Sequence, residues 1–315
     1  MKIVALAGGV GGAKLVDGIY RGTSDVDLTV IVNIGDDFHH YGLHISPDLD
    51  TVCYNLAGLE NPETVWGRGA ENWETMEQLK VLGGPDWFRL GNLDLATHLE
   101  RTRRLEAGQP LSQITKDFCL SWGITARILP VTDALVPTLV NTEQGFLPFQ
   151  EYFVRLSCQP EVRGFQFRDV VFAEPAPGVL EAIRAADWVL ICPSNPWVSI
   201  DPILAVPGIR SSIRKKPVLA VSPIIGDNAV KGPAAKMFLE MGIQPSASEV
   251  AFHYGEMLDG FVVDDQDLGR SEEILYQERS SLELFSTDIW MRSRAERISV
   301  ADEVITFGES LGKEV

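Results

Sequence analysis

The chain has only four cysteines in 315 residues, and none pairs in a CxxC spacing. Cys53, Cys119, Cys158 and Cys192 stand far apart along the sequence, which argues against a zinc site and a disulfide scaffold. No apolar run approaches the length of a bilayer span. The opening KIVALAGG is strand-length and lacks the basic start and long apolar stretch of a signal peptide, so a cytoplasmic protein is expected. No repeat and no long Gly/Ser or charged linker interrupts the chain. Positive charge is also scarce: 27 Lys and Arg stand against 44 Asp and Glu, for a net charge of −17. A field of that sign repels nucleic acid and anionic membrane. It also repels phosphorylated small molecules, so any phosphate site must reverse the sign locally.

What is present is a globular balance, 45% apolar and 23% charged. Length alone suggests about two domains, but the patterning reads as one α/β unit over 1–315. KIVALAGG, GAKLVDGIYRG and DLTVIVNIG read as β-α-β. PGVLEAIRAAD, DWVLICP, SIDPILAVPGIRSSI, KPVLAVSPI and GPAAKMFLEMG continue the alternation as helix, strand, helix, strand and helix. Near-continuous apolar strands alternating with helices predict a Rossmann-like, doubly wound, mostly parallel sheet. Its core runs over about 1–130 and 173–260. Residues 131–172 change pattern: a hairpin turning at Glu143-Gln144-Gly145 marks an inserted, smaller, β-rich subdomain. Residues 60–125 carry helical spacing, and 265–285 reads as a loop with a short strand.

Five segments carry candidate chemistry. Gly8-Gly9-Val10-Gly11-Gly12-Ala13-Lys14 follows the first strand and opens a helix. Glycines there admit a phosphate close to backbone N–H groups, and Lys14 adds a full charge. The alternative is a tight strand-helix turn without a ligand. The segment is neither a Walker A loop nor GxGxxG, since Lys14 stands at the last glycine position. Asp36 and Asp37, after the second strand, either hold a ribose hydroxyl, bind Mg²⁺ beside a phosphate, or cap a helix. Asp48 and Asp50, before the apolar VCYNLAGL, serve as metal ligands or a general base, or cap a helix. His39, His40 and His44 read as polar packing or substrate contacts. Arg89, before a glycine and a helix start, suits an anion or a ring. Two late loops, Cys192-Pro193-Ser194-Asn195-Pro196 and 222–233 with Lys231, place small polar groups and a cation at the same sheet edge.

GGVGGAK, HISPDLDT, WFRLGNLDLATH, PSNPWVSIDPIL and SPIIGDNAVKGPAAKM together resemble the CofD/FbiA family from residue 1 to about 245, and more weakly beyond. The resemblance implies an Mg²⁺-dependent, commonly dimeric transferase of coenzyme F-420 biosynthesis. Such enzymes move a phospholactyl- or phosphoenolpyruvyl-type group from a guanosine diphosphate-linked donor to a deazaflavin, releasing GMP. It assigns the donor diphosphate to Gly9, Gly11, Gly12, Lys14 and Lys231, and the guanosine end to Ser194, Asn195 and Ser222. Asp50 and Arg89, matching SPDxD and FRLG, would bind deazaflavin. Asp48 and Asp50 would be catalytic, with Asp36, Asp37, Asp48 and Asp50 as candidate Mg²⁺ ligands. Two positions depart from the family pattern: Asn92 where Asp is usual, and Asp227 where a second Gly is usual. An NAD(P)-dependent oxidoreductase and a non-enzymatic nucleotide-sugar-binding regulator are the rival readings. The oxidoreductase leaves Lys14 and the late loops unexplained. The regulator branch carries a glycine/serine-rich stretch where NIGDDFHHYGLHISPDLD stands.

Overall fold

A computed structural model describes residues 1–23, 25–229, 232–278 and 281–311. Seven parallel strands form the central sheet, here numbered within that sheet alone: β1 (Lys2–Ala7), β2 (Asp27–Val32), β3 (Arg127–Pro130), β4 (Trp188–Ile191), β5 (Val218–Val221), β6 (Gly260–Asp264) and β7 (Glu283–Thr287). Their spatial order is β7-β6-β5-β4-β1-β2-β3, with Ile3 opposite Leu28 on one side and Trp188 on the other. β4, β5 and β6 are buried at every residue, because helices cover both faces and alternation has no place in such a strand. The winding reverses between β1 and β4. In a doubly wound sheet the ligand crevice opens there, beyond the carboxyl ends of the strands.

The sheet continues past residue 260. β6 and β7 extend it, and 265–285 holds the helix Leu268–Glu278 as well as a strand. Few apolar residues mark that helix in LGRSEEILYQE, where Leu275 is a buried anchor and Arg270, Glu272, Glu273 and Glu278 carry charge. SIDPILAVPGIRSSI is not one helix. Pro207 stops the segment Asp201–Ala205, and Gly208, at φ +86°, restarts it as Ile209–Ile213.

Helices of the first half of the chain are α1 (Gly9–Gly22), α2 (Pro47–Ala57), α3 (Glu74–Val81), α4 (Asn92–Glu106) and α5 (Leu111–Ser121). Between β2 and α2 lies a hairpin, Phe38–His40 with Leu43–Ile45. Its Tyr41-Gly42 turn has positive φ at both residues, without the Asn-Gly pair that signals such turns in sequence. The insert is a three-stranded antiparallel sheet with Thr138–Thr142 between Gly145–Pro148 and Val162–Phe167. It joins the core where Thr138 N–H donates to Gly35 O at 2.5 Å. Cys53 on α2 and Cys119 on α5, distant in sequence, have their sulfurs 3.8 Å apart as free thiols. Among the described residues, no helix is long and apolar enough to cross a membrane.

The carboxyl-terminal helix Arg294–Leu311 packs along α1. Arg297 donates to the fully buried Asp17 at 2.8 Å and to Asn55 at 3.2 Å, tying the carboxyl-terminal helix to α1 and α2. Gly18 makes the close approach possible. A Cβ there would overlap the Arg297 carbonyl and lie 3.1 Å from Ala301 Cβ. Gly→Ala in a free helix stabilises by about 1 kcal/mol. Here Gly18→Ala is expected to destabilise by about 1–3 kcal/mol through overpacking. Urea unfolding reads the sign, and a stabilised variant would show that the two helices part without cost.

Candidate functional site

α1 begins almost at the sheet. β1 ends at Ala7, Gly8 is the extended N-cap and Gly9 takes φ +63°. Gly8 N–H donates to Ser194 Oγ at 3.2 Å, and that hydroxyl donates back to Gly8 O at 2.7 Å. The glycines are first of all packing positions. A Cβ on Gly12 would lie 2.6 Å from Ser194 Oγ, and one on Gly11 would run into the Pro193 carbonyl. The N–H of Gly9 donates to the Asp48 carboxylate, so a side-chain anion holds the helix N-terminus. Lys14 is half-buried and its charge reaches Glu296 at the start of the carboxyl-terminal helix. Lys231 lies outside the described residues.

The four candidate acids divide into three environments. Asp36 and Asp48 meet at Asn33, whose Nδ2 donates to Asp48 Oδ2 at 2.9 Å and Asp36 Oδ1 at 3.2 Å. Gln150, from the insert, donates to the other oxygen of Asp36 at 3.1 Å. Asp37 turns away and accepts from His44 Nε2 (2.9 Å) and Ser46 Oγ (2.7 Å), while its Oδ1 is buried without a partner. Asp50 is two residues beyond Asp48 on α2, so it points elsewhere. Arg101 of α4 grips it with both terminal nitrogens, and His98 Nδ1 stands 3.7 Å away.

Electrostatics separates these acids further. Burial, then the charges of Asp48 and Asp37, raise Asp36 well above the usual carboxylate range. Burial pushes Asp48 up to about 7, although the Asn33 and Gly9 hydrogen bonds pull the other way. Asp37 is raised by burial and held back by His44, Ser46 and Arg101. Burial opposes the charge of Arg101, but Asp50 outweighs it and the guanidinium pKa rises. Burial lowers His98 to about 4, leaving it neutral near pH 7. Asp94 is raised to about 7, first by its partial burial and then by the charge of Asp50.

The remaining sequence candidates occupy defined places. Arg89 is exposed, 3.2 Å from Glu77 Oε1 and stacked over Trp73 at 4.7 Å, outside the acid cluster. Asn92 opens α4 and accepts from Thr75 N–H at 3.4 Å. Asn195 caps the turn Pro196–Ile200 by accepting from Trp197 N–H at 3.0 Å. Ser222 Oγ closes on Ile224, accepting from its N–H and donating to its carbonyl. Asp227 pairs with exposed Arg270 at 2.8 Å. Ser194, Asn195 and Ser222 thus shape their loops with their side chains. A cleft lies beside the acids, between Asp36, Asp37 and Phe38 on one wall and Thr138, Phe149 and Gln150 on the other.

Sequence reasoning missed Arg101, Gln150 and the linking part of Asn33. For Arg101 a signal existed: it falls three residues after His98 and six after Leu95, on the buried stripe of α4. Gln150 had none, since only the tertiary fold brings the insert to Asp36.

Among the described residues no group of three or more His, Cys, Asp or Glu side chains is arranged to hold a metal ion. Mg²⁺ is commonly bound by one or two carboxylates plus substrate phosphates, and Asp36 with Asp48 fits that pattern. The two carboxylates share one amide and the charge of Asp48 raises the proton affinity of Asp36, a situation that a cation relieves.

Asp48 binds a proton in the native state at pH values where the unfolded chain releases it. Its contribution to stability therefore falls as pH climbs from about 4 to about 7. Asp48→Asn removes this loss, so its Tm relative to wild type should improve between about pH 5 and about pH 8. An equal Tm difference at both values would remove the raised pKa.

Comparison with known proteins fits this architecture. The phosphoenolpyruvate transferase of Streptomyces griseus subsp. griseus is 47% identical over 282 residues, covering 87% of this chain and 89% of that protein. The protein of the same name from Streptomyces avermitilis is 43% identical over 318 residues, covering 97% of this chain and all of that one. A crystal structure of a UPF0052 family member from Bacillus halodurans superposes with a TM-score of 0.63 at 16% identity, covering 96% of this chain and 98% of that one, a likeness of fold. The family model described as 2-phospho-L-lactate transferase CofD matches residues 3–305, and the chain belongs to this family of transferases.

Proposed function

We propose that the protein transfers a phosphoenolpyruvyl-type group from a guanosine diphosphate-linked donor to the terminal ribityl hydroxyl of 7,8-didemethyl-8-hydroxy-5-deazariboflavin, releasing GMP, in coenzyme F-420 biosynthesis. The carrying observation is the 47% identity, over 87% of the chain, to a protein named phosphoenolpyruvate transferase. A phospholactyl-type group is the close chemical alternative, since the donors differ by few atoms.

In this reading the ribityl oxygen attacks the phosphorus that bears the organic acid, and the bond from that phosphorus to GMP breaks. Such transfers rest mainly on positioning and charge neutralisation. Asp48 accepts the hydroxyl proton, and a pKa of about 7 suits a base working near neutrality. The donor diphosphate is assigned to the N-terminus of α1, supported by the GGVGGAK motif with Gly9, Gly11, Gly12 and Lys14. Asp36, beside Asp48, would be the carboxylate that holds Mg²⁺ together with the donor phosphates, and the ion would supply neutralisation of diphosphate charge when bound. The guanosine end lies along the Ser194, Asn195 and Ser222 loops. Asp50 and Arg89 face the deazaflavin side, supported by the SPDLD and FRLG motifs. Arg101 keeps Asp50 paired and directed.

The test is mass spectrometry of products from purified protein, the deazaflavin, Mg²⁺ and each guanylylated donor. A phosphodiester-linked deazaflavin and GMP are expected, and no such product from any donor would sink the reading. Asp48→Asn should lower kcat by about 10²–10⁴-fold. Arg89→Ala should weaken deazaflavin binding with kcat nearly kept, and unchanged affinity would remove Arg89 from the acceptor side.

A further inference from the structure

Asn33 follows β2 directly and is fully buried. Its backbone N–H donates to Ala7 O at 3.0 Å, extending the β1–β2 ladder by one rung. Its Oδ1 accepts from Gly35 N–H at 2.8 Å, which fixes the amide's orientation, because only the oxygen can accept. Nδ2 then faces three acceptors: Asp48 Oδ2 at 2.9 Å, Val198 O at 3.1 Å and Asp36 Oδ1 at 3.2 Å. One neutral side chain therefore ties together the loop after β2, the first turn of α2 and the turn after β4. Through Asp48 it also reaches Gly9 at the start of α1.

Residue choice at this position is narrow. A lysine would neutralise the acids, and an aspartate would set a third carboxylate against two. An alanine would leave two buried carboxylates and a carbonyl short of a donor, and buried polar groups need partners. We propose that Asn33 is a positioning residue of the transfer site, whose amide holds the Asp36 and Asp48 carboxylates side by side, uncancelled, so that a divalent cation and the donor phosphates meet a prepared pair. The kinetic part of this inference rests on the transferase reading; the structural part does not.

Three variants test it. Asn33→Asp keeps the shape and the acceptor for Gly35 but loses the donor. Asn33→Ala loses both. Asn33→Asp combined with Asp48→Asn restores an amide–carboxylate pair with its polarity reversed. Mn²⁺ binding in the presence of GDP, followed by electron paramagnetic resonance, should weaken at least about tenfold in Asn33→Ala, the size found when groups that orient metal ligands are removed. The Tm of Asn33→Asp should fall and recover in the double variant, as expected for a directly coupled pair. With donor and deazaflavin, Asn33→Ala and Asn33→Asp should lose at least about tenfold in kcat with deazaflavin KM within about threefold. Wild-type Mn²⁺ affinity in Asn33→Ala, or no recovery of Tm in the double variant, overturns the positioning role. If the wild-type protein makes no phosphodiester product, the transferase reading fails, while the Mn²⁺ and Tm measurements still decide the role of Asn33.

Discussion

The reciprocal pair of hydrogen bonds between Gly8 and Ser194 is the contact on which the site depends. β1 and β4 are neighbours whose connections leave in opposite directions, and a crevice opens where they part. Ser194 closes its floor by satisfying both backbone groups of Gly8. That closure requires glycine at 8, 11 and 12, because side chains there would strike Asp48, Pro193 and Ser194. With the floor set, α1 starts at the sheet edge and its first N–H groups face the acids.

The acids then create a problem that the fold answers in three ways. Asp50 receives a full counter-charge from Arg101, Asp37 receives His44 and Ser46, and Asp36 with Asp48 receive neutral donors from Asn33, Gln150 and Gly9. The third arrangement leaves carboxylate charge facing neutral donors alone in a buried place, and that raises proton affinity; Asp37, with one oxygen unpartnered, is raised by burial as well. The global charge of −17 has no part in this. Two acids placed side by side change the local demand from repelling anions to recruiting cations.

Much of the framework was legible because its signals are local. KIVALAGG, DLTVIVNIG, DWVLICP and KPVLAVSPI are apolar runs ended by glycine, asparagine, proline or serine, and each is a strand of the central sheet. The crevice loops follow from where those runs stop. What escaped were features decided at long range or by weak local chemistry. Pro207 was present in the sequence, yet the apolar spacing around it masked a helix break. The Leu268–Glu278 helix lacked a wide apolar stripe, and the Tyr41-Gly42 turn lacked its usual asparagine. Within the site, the residue types were visible but their partners were not. Nothing in HISPDLDT says that its two acids face different helices, or that Asp48 answers to Asn33 and Asp50 to Arg101.

The contact of Asp17 with Arg297 spans 280 residues of sequence. Few interactions in a chain of this length close a larger loop, and such closures come late because their entropy must be met before other contacts reward them. On the ribosome, Asp17 of α1 emerges 280 residues ahead of the Arg297 that packs on it. β1 likewise waits for β4, at Trp188–Ile191, before its second edge is covered. The strand and helix that carry the ligand crevice are therefore made well before the elements that complete them, so the nascent chain holds an apolar strand unpaired on one side until β4 is synthesised.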